Sequence, residues 1–134
     1  MAQVKNIEGI GDEYAGKLQA VGVTSVESLL DQGATPQGRA VLAQQTGISS
    51  KLILRWVNHA DLFRIKGVAG QYAELLEASG VDTVAELSQR NPENLHRALV
   101  STNEDKKLAG VTPSLSQVSA WVAEATTIPR VVVY

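Results

Sequence analysis

The sequence predicts an all-α fold of about eight short helices in two pseudo-symmetric repeats, closed by an extended C-terminal tail. Three observations lead there. The stretch Ile7 to Leu29, I-E-G-I-G-D-E-Y-A-G-K-L-Q-A-V-G-V-T-S-V-E-S-L, returns 58 residues later, without a gap, as Ile65 to Leu87. Its apolar side chains recur at helical spacing rather than in alternation. Glycines and polar-proline pairs divide the chain at short intervals, as helix ends do. Repeats of this size bury their apolar faces on one another. Residues 1–134 therefore read as one compact domain with internal repeats 1–63 and 64–128 and a tail at 129–134.

In the first repeat, Gly9-Ile10-Gly11 forms a hairpin, and Tyr14, Ala15 and Leu18 line one face of the helix that follows. Gly22 stops that helix, because glycine accepts the left-handed backbone common just past a helix end. Thr24, with Glu27 three residues on, reads as a capping box for a short helix to about Leu30. Thr35-Pro36 is a cap followed by a first-turn proline, predicting a helix to Thr46, with Gly47 ending it. Ser49 or Ser50 caps the next helix, which carries Leu52, Ile53, Trp56, Val57 and Ala60 as its apolar stripe.

The second repeat follows the same plan. A helix is expected from about Gly70 to Ser79, stopped by Gly80, then a short one capped by Asp82 and running through Gln89. Asn91-Pro92 starts the next helix. Ser101 to Gly110 is polar and poorly periodic and reads as a loop or frayed helix. Thr112-Pro113 opens the last helix, through Val118, Trp121, Val122 and Ala125. Three consecutive valines before Tyr134 favour an extended backbone. That tail either lies on the helical body, or pairs as a strand with residues 2–5 or with another chain, which would permit self-association.

Composition narrows the function. The chain has no cysteine, so disulfides and thiolate chemistry are excluded, in keeping with a reducing compartment. No apolar run approaches the roughly 20 residues of a membrane span, and no signal-like segment opens the chain, so a cytoplasmic protein with no membrane contact is expected. The net charge of −2 is unevenly spread: residues 1–35 sum to −3, residues 36–66 to +4 and residues 67–108 to −3. The basic middle holds Arg39, Lys51, Arg55, Arg64 and Lys66 against Asp61 alone. Lys51, Arg55 and His59 succeed one another at four-residue spacing, on one helix face. His59 reads there as a solvated side chain. Trp56 and Trp121 take matching places late in the two halves and read as core anchors, as do Tyr14 and Tyr72.

The stretch Ile7 to Leu29 resembles the helix-hairpin-helix motif of DNA repair and replication proteins. The chain as a whole is similar to a bacterial family of tandem helix-hairpin-helix proteins, the domain-of-unknown-function 4332 family. That likeness is carried by I-E-G-I-G, by W-V-N-H-A-D-L-F-R-I-K-G-V from Trp56 to Val68, by Q-R-N-P-E-N-L from Gln89 to Leu95, and by P-R-V-V-V-Y at the end. The resemblance implies a helical fold and no established activity. The helix-hairpin-helix resemblance implies phosphate-facing backbone at Gly9, Ile10 and Gly11, helped by Lys17, and at Gly67, Val68 and Ala69 with Lys66.

Physically, a glycine hairpin before a helix presents amide N–H groups at the positive end of the helix dipole, where an anion is stabilised. Amide contacts to phosphate would bind without reading sequence. Opposing this, Glu8, Asp12 and Glu13 surround the first hairpin, and Ala69 replaces the second glycine of the second. The expectation is a non-catalytic module that binds DNA weakly and without sequence preference, through the hairpins and a central basic face of Lys51, Arg55, Arg64 and Lys66. The alternative is a protein-interaction or scaffold module in which the glycines only permit close packing. Adjacent acidic pairs such as Asp12/Glu13 and Glu104/Asp105 have no histidine or cysteine beside them, so no metal site, cofactor or catalytic group is expected.

Overall fold

Helix boundaries in this chain are set largely by side-chain caps. Thr35 accepts a hydrogen bond from Gly38 N at 3.1 Å and Asn91 one from Asn94 N at 3.0 Å, each followed by proline in the first turn. Such caps satisfy amides that have no partner within the helix. The computed structural model describes residues 2–134, among which there are eight α-helices and no strand. A 3-10 turn at Val4–Asn6 precedes α1 (Asp12–Gln19), α2 (Val26–Gly33), α3 (Pro36–Thr46), α4 (Ser50–Leu62), α5 (Gly70–Ala78), α6 (Val84–Ser88), α7 (Pro92–Lys106) and α8 (Leu115–Ala125).

Three boundaries differ from the expected ones. The cap of α2 is Ser25 rather than Thr24, in a box with Ser28. Val4 N donates to Thr24 O and Val26 N to Ala2 O, which holds residues 24 and 25 extended and starts the helix one residue later. This also commits residues 2–4 to that segment rather than to the tail. In the second copy the cap is Thr83 rather than Asp82, the same one-residue shift. The cap of α8 is Ser114, boxed with Gln117, because the Thr112 hydroxyl is taken by Asn103 Nδ2 at 3.1 Å.

Residues 101–106 are not a loop but the last turns of α7, which ends where Lys107 adopts φ 54°. The reason is Asn103. This buried side chain donates to Ala109 O at 3.0 Å and accepts from Ala109 N at 2.9 Å, so an inward-facing amide does what an apolar residue does elsewhere on the helix. Apolar periodicity cannot register such a position.

The chain divides into two compact units, Met1–Asp61 together with Val131–Tyr134, and Leu62–Arg130. In the first, the 3-10 turn packs on α1 and α2, and α2 packs on α3. Ile7, Leu18, Leu29, Leu42, Ile53 and Trp56 are all buried there. In the second, α8 lies against α6 and α7, and α5 against α7, around a core that includes Ile65, Leu76, Leu87, Leu99, Val118 and Trp121. Burial of so many large side chains, at about 1.5–3 kcal/mol each, is the main force opposing chain entropy in either unit.

Candidate hairpin site

Each unit builds its hairpin from the same parts. Gly9 has φ 94° and Gly67 φ 88°, a left-handed conformation that costs a side-chain-bearing residue energy. A Cβ on Gly9 would lie 3.7 Å from Trp56 Nε1, and one on Gly67 3.4 Å from Trp121 Nε1. The first tyrosine of the following helix then packs on the same indole: Tyr14 on Trp56 with centroids 5.0 Å apart, and Tyr72 on Trp121 at 5.4 Å. The interplanar angles are 58° and 54°, a tilted arrangement that adds attraction beyond buried area. Glycine, tyrosine and tryptophan thus form one packed set in each unit.

The hairpin amides are partly committed to the fold. Ile10 and Val68 are buried, and their N–H groups donate to Ile7 O at 3.2 Å and Ile65 O at 3.0 Å. Both amides take part in closing the turn. Lys66 N donates to Glu124 Oε1 at 3.1 Å, so an amide next to the second hairpin is already bonded to a carboxylate of this chain. Gly11 and Ala69 both cap their helices in extended conformation, with φ −88° and −155°. The loss of the second glycine therefore costs the second hairpin nothing in backbone geometry. Gly9, Gly11, Gly67 and Ala69 remain solvent-exposed.

Around the first hairpin, Lys5 lies 3.8 Å from Asp12 and Lys17 3.8 Å from Glu13. Lys17 also sits 5.9 Å from the Tyr14 ring centroid. These exposed pairs contribute little to stability, about 0–1 kcal/mol each. They do reduce the negative field at the hairpin, and they occupy Lys17, the cation expected to assist there.

The central basic face is smaller than its sequence suggests. Arg39, one of the five cations of the basic middle, is buried, and donates from Nη1 to Gly33 O at 2.9 Å and from Nη2 to Val133 O at 2.8 Å. Burial pushes its guanidinium pKa down from the ordinary value, opposed by nearby Tyr134. Arg64 donates to Pro129 O at 2.8 Å. His59, expected on the solvated face with Lys51 and Arg55, is fully buried, because the inward face of α4 widens past Trp56 to take in residues 57–61. Lys51, Arg55 and Lys66 stay exposed. Lys51 lines an open groove of about 290 Å3 with Pro36, Arg39, Ala40, Ser50 and Leu54.

Two residues that matter most here, Arg39 and Glu124, are absent from the expected set. Each has a faint signal: Arg39 is the sole charge on α3, and Glu124 the sole acid after Asp105. An isolated charge on an otherwise neutral helix is a candidate for a specific partner.

Residues 8–128 match the model of a family described as Domain of unknown function (DUF4332). The chain belongs to the DUF4332 family. No solved structure matches it. Membership in DUF4332 brings no reaction with it, so the chemistry of this DUF4332 chain rests on its own residues. Among the described residues, no group of three or more histidine, cysteine, aspartate or glutamate side chains is arranged to hold a metal ion. No helix among them is long and apolar enough to cross a membrane.

Proposed function

We propose that this protein is a non-catalytic tandem helix-hairpin-helix module that acts in protein interaction or scaffolding, with hairpins used for packing. The two units are read as pseudo-symmetric repeats, supported by the matching glycine, tyrosine and tryptophan contacts at 9/14/56 and 67/72/121. The observation that carries the functional reading is the 3.1 Å bond from Lys66 N to Glu124 Oε1. An anion arriving at that amide would have to displace a carboxylate and then tolerate its charge. The place of action we assign is a reducing one, the bacterial cytoplasm.

A second reading, weak DNA binding without sequence preference, is favoured by one observation: Lys51 and Arg55 are exposed a turn apart on α4. Magnitude limits it. Useful nonspecific binding draws on counterion release from roughly 6–10 phosphate contacts. The central segment has only five basic residues, of which Arg39 is buried and Arg64 donates to Pro129 O.

Titration of labelled duplex and single-stranded DNA at low and moderate salt separates the readings. The packing reading expects no saturable binding at low salt by the folded wild type, and lower stability for Glu124→Ala, which removes the acceptor of Lys66 N. Salt-sensitive binding that is lost in Lys51→Glu/Arg55→Glu, with the fold intact, would replace it with the DNA reading.

A further inference from the structure

The last four residues are grouped with the first unit, not with the helix they follow in sequence. Val132 is buried, whereas Val133 and Tyr134 are half exposed. Val133 is recognised through its main chain from both sides. Its N–H donates to Ala34 O at 2.8 Å, and its carbonyl accepts from Arg39 Nη2 at 2.8 Å. The Tyr134 hydroxyl reaches Asn58 Oδ1 at 3.4 Å. Arg39 is itself aimed by the bond from Nη1 to Gly33 O, which does not involve the tail.

This is how extended peptides are commonly held: main-chain hydrogen bonds supply affinity while a buried side chain supplies selectivity. The receiving groups, Gly33, Ala34, Arg39 and Asn58, all belong to the first unit. None of these contacts depends on the tail being covalently joined to the chain that receives it. We infer that the Gly33–Arg39 corner is a receptor for an extended C-terminal segment, and that its partner in trans is the Val131–Tyr134 tail of a second copy. The inference rests on the interaction-module reading and names that module's partner. An exchange of identical tails is reciprocal and closes into a dimer.

In one chain the tail competes for its own site with an effective concentration on the order of mM. Exchange therefore appears at mM protein, or wherever the internal tail is weakened. Val133→Pro in the full-length chain does the latter, since proline has no N–H to give Ala34 while the receptor residues stay unchanged. The probe is a fluorescent peptide copying residues 128–134, Ile-Pro-Arg-Val-Val-Val-Tyr, followed by anisotropy, with circular dichroism reporting the fold. Weak saturable binding to wild type, at least about tenfold tighter binding to Val133→Pro, and no binding of the peptide carrying proline at the place of Val133 are expected. Equal affinity for wild type and Val133→Pro, or binding of the proline peptide, overturns the inference. Should Val133→Pro lose its helix content, sedimentation of wild type decides: a chain that stays monomeric to several mM overturns it equally. Neither measurement involves DNA, so this inference and the functional reading fail separately.

Discussion

Trp121 lies against Gly67 so closely that a Cβ at the glycine would stand 3.4 Å from the indole nitrogen, and Trp56 lies against Gly9 in the same way at 3.7 Å. The demand for glycine comes from the left-handed backbone, since a Cβ at either distance would make an ordinary van der Waals contact with the indole. Gly67→Ala and Gly9→Ala are each expected to lower unfolding free energy by about 1–2 kcal/mol, the cost of placing an L-residue in that conformation. The two losses should be similar, since the backbone conformations nearly coincide. Gly11→Ala is the control. It is extended, has nothing within 4 Å of a Cβ, and corresponds to Ala69 in the second copy, so its urea midpoint should match wild type.

The contacts of α2 set a second, purely steric prediction. A Cβ on Gly33 would fall 2.4 Å from Val57 Cγ2, and one on Gly38 would fall 2.0 Å from the carbonyl oxygen of Gln32. A buried, branched valine has little freedom to turn away, and a backbone oxygen has less. Gly33→Ala should cost about 1–3 kcal/mol by overpacking. Val57→Ala in the same chain should recover part of that, giving a favourable coupling in a double-mutant cycle. Gly38→Ala has no side chain to trim and should be the worse of the two, read by thermal melting.

Asn103 closes the loop after α7 with three hydrogen bonds, two to Ala109 and one to Thr112. Asn103→Ala leaves the Ala109 N–H and C=O without these partners in a buried place, at about 1–3 kcal/mol for each unsatisfied group. A total loss of about 2–4 kcal/mol is expected. Hydrogen exchange should show the loss of protection concentrated at residues 103–112. Asn103→Asp keeps the acceptor for Ala109 N but removes the donor, and is expected to recover only part of the loss.

Arg39 bridges two carbonyls with two nitrogens, Gly33 O and Val133 O. Arg39→Met keeps the apolar stem and removes both donors, and is expected to cost about 2–3 kcal/mol. Arg39→Lys should not restore it, because one ammonium on a flexible stem cannot reproduce the planar fork. Amide exchange at Val133 reports the result directly: the slow exchange expected in wild type should become fast in both variants.

Much of the helical plan was legible in the residues alone. Thr35-Pro36 and Asn91-Pro92 start helices as expected, and α3 ends at Thr46 with Gly47 at φ 73°. Gly22 and Gly80 terminate their helices with φ 88° and 93°. Next to these, Val23 N and Val81 N donate back to Leu18 O and Leu76 O, both at 2.9 Å. Trp56 and Trp121 were recognisable as core anchors by their matching places. The caps at Ser25, Thr83 and Ser114 were each misplaced by one or two residues, for a common reason. Two residues able to cap stand close together at each place, Thr24 and Ser25, Asp82 and Thr83, Thr112 and Ser114, and local spacing does not choose between them.

The candidate site was less legible. The sequence placed Gly9–Gly11 and Gly67–Ala69 at helix starts but could not show that Ile10 and Val68 spend their amides inward. It counted Arg39 in the charge of the basic middle and read His59 as solvated beside Lys51 and Arg55, though both are buried.

By itself the sequence determined the repeat, the helix starts marked by proline and the glycine stops, because each rests on interactions within about four residues along the chain. Only the tertiary structure decided which charges are available. The bond from Lys66 to Glu124 spans 58 residues and that from Arg39 to Val133 spans 94. Local spacing carries no information about such pairs. The second forms because a buried guanidinium must find partners wherever folding brings them.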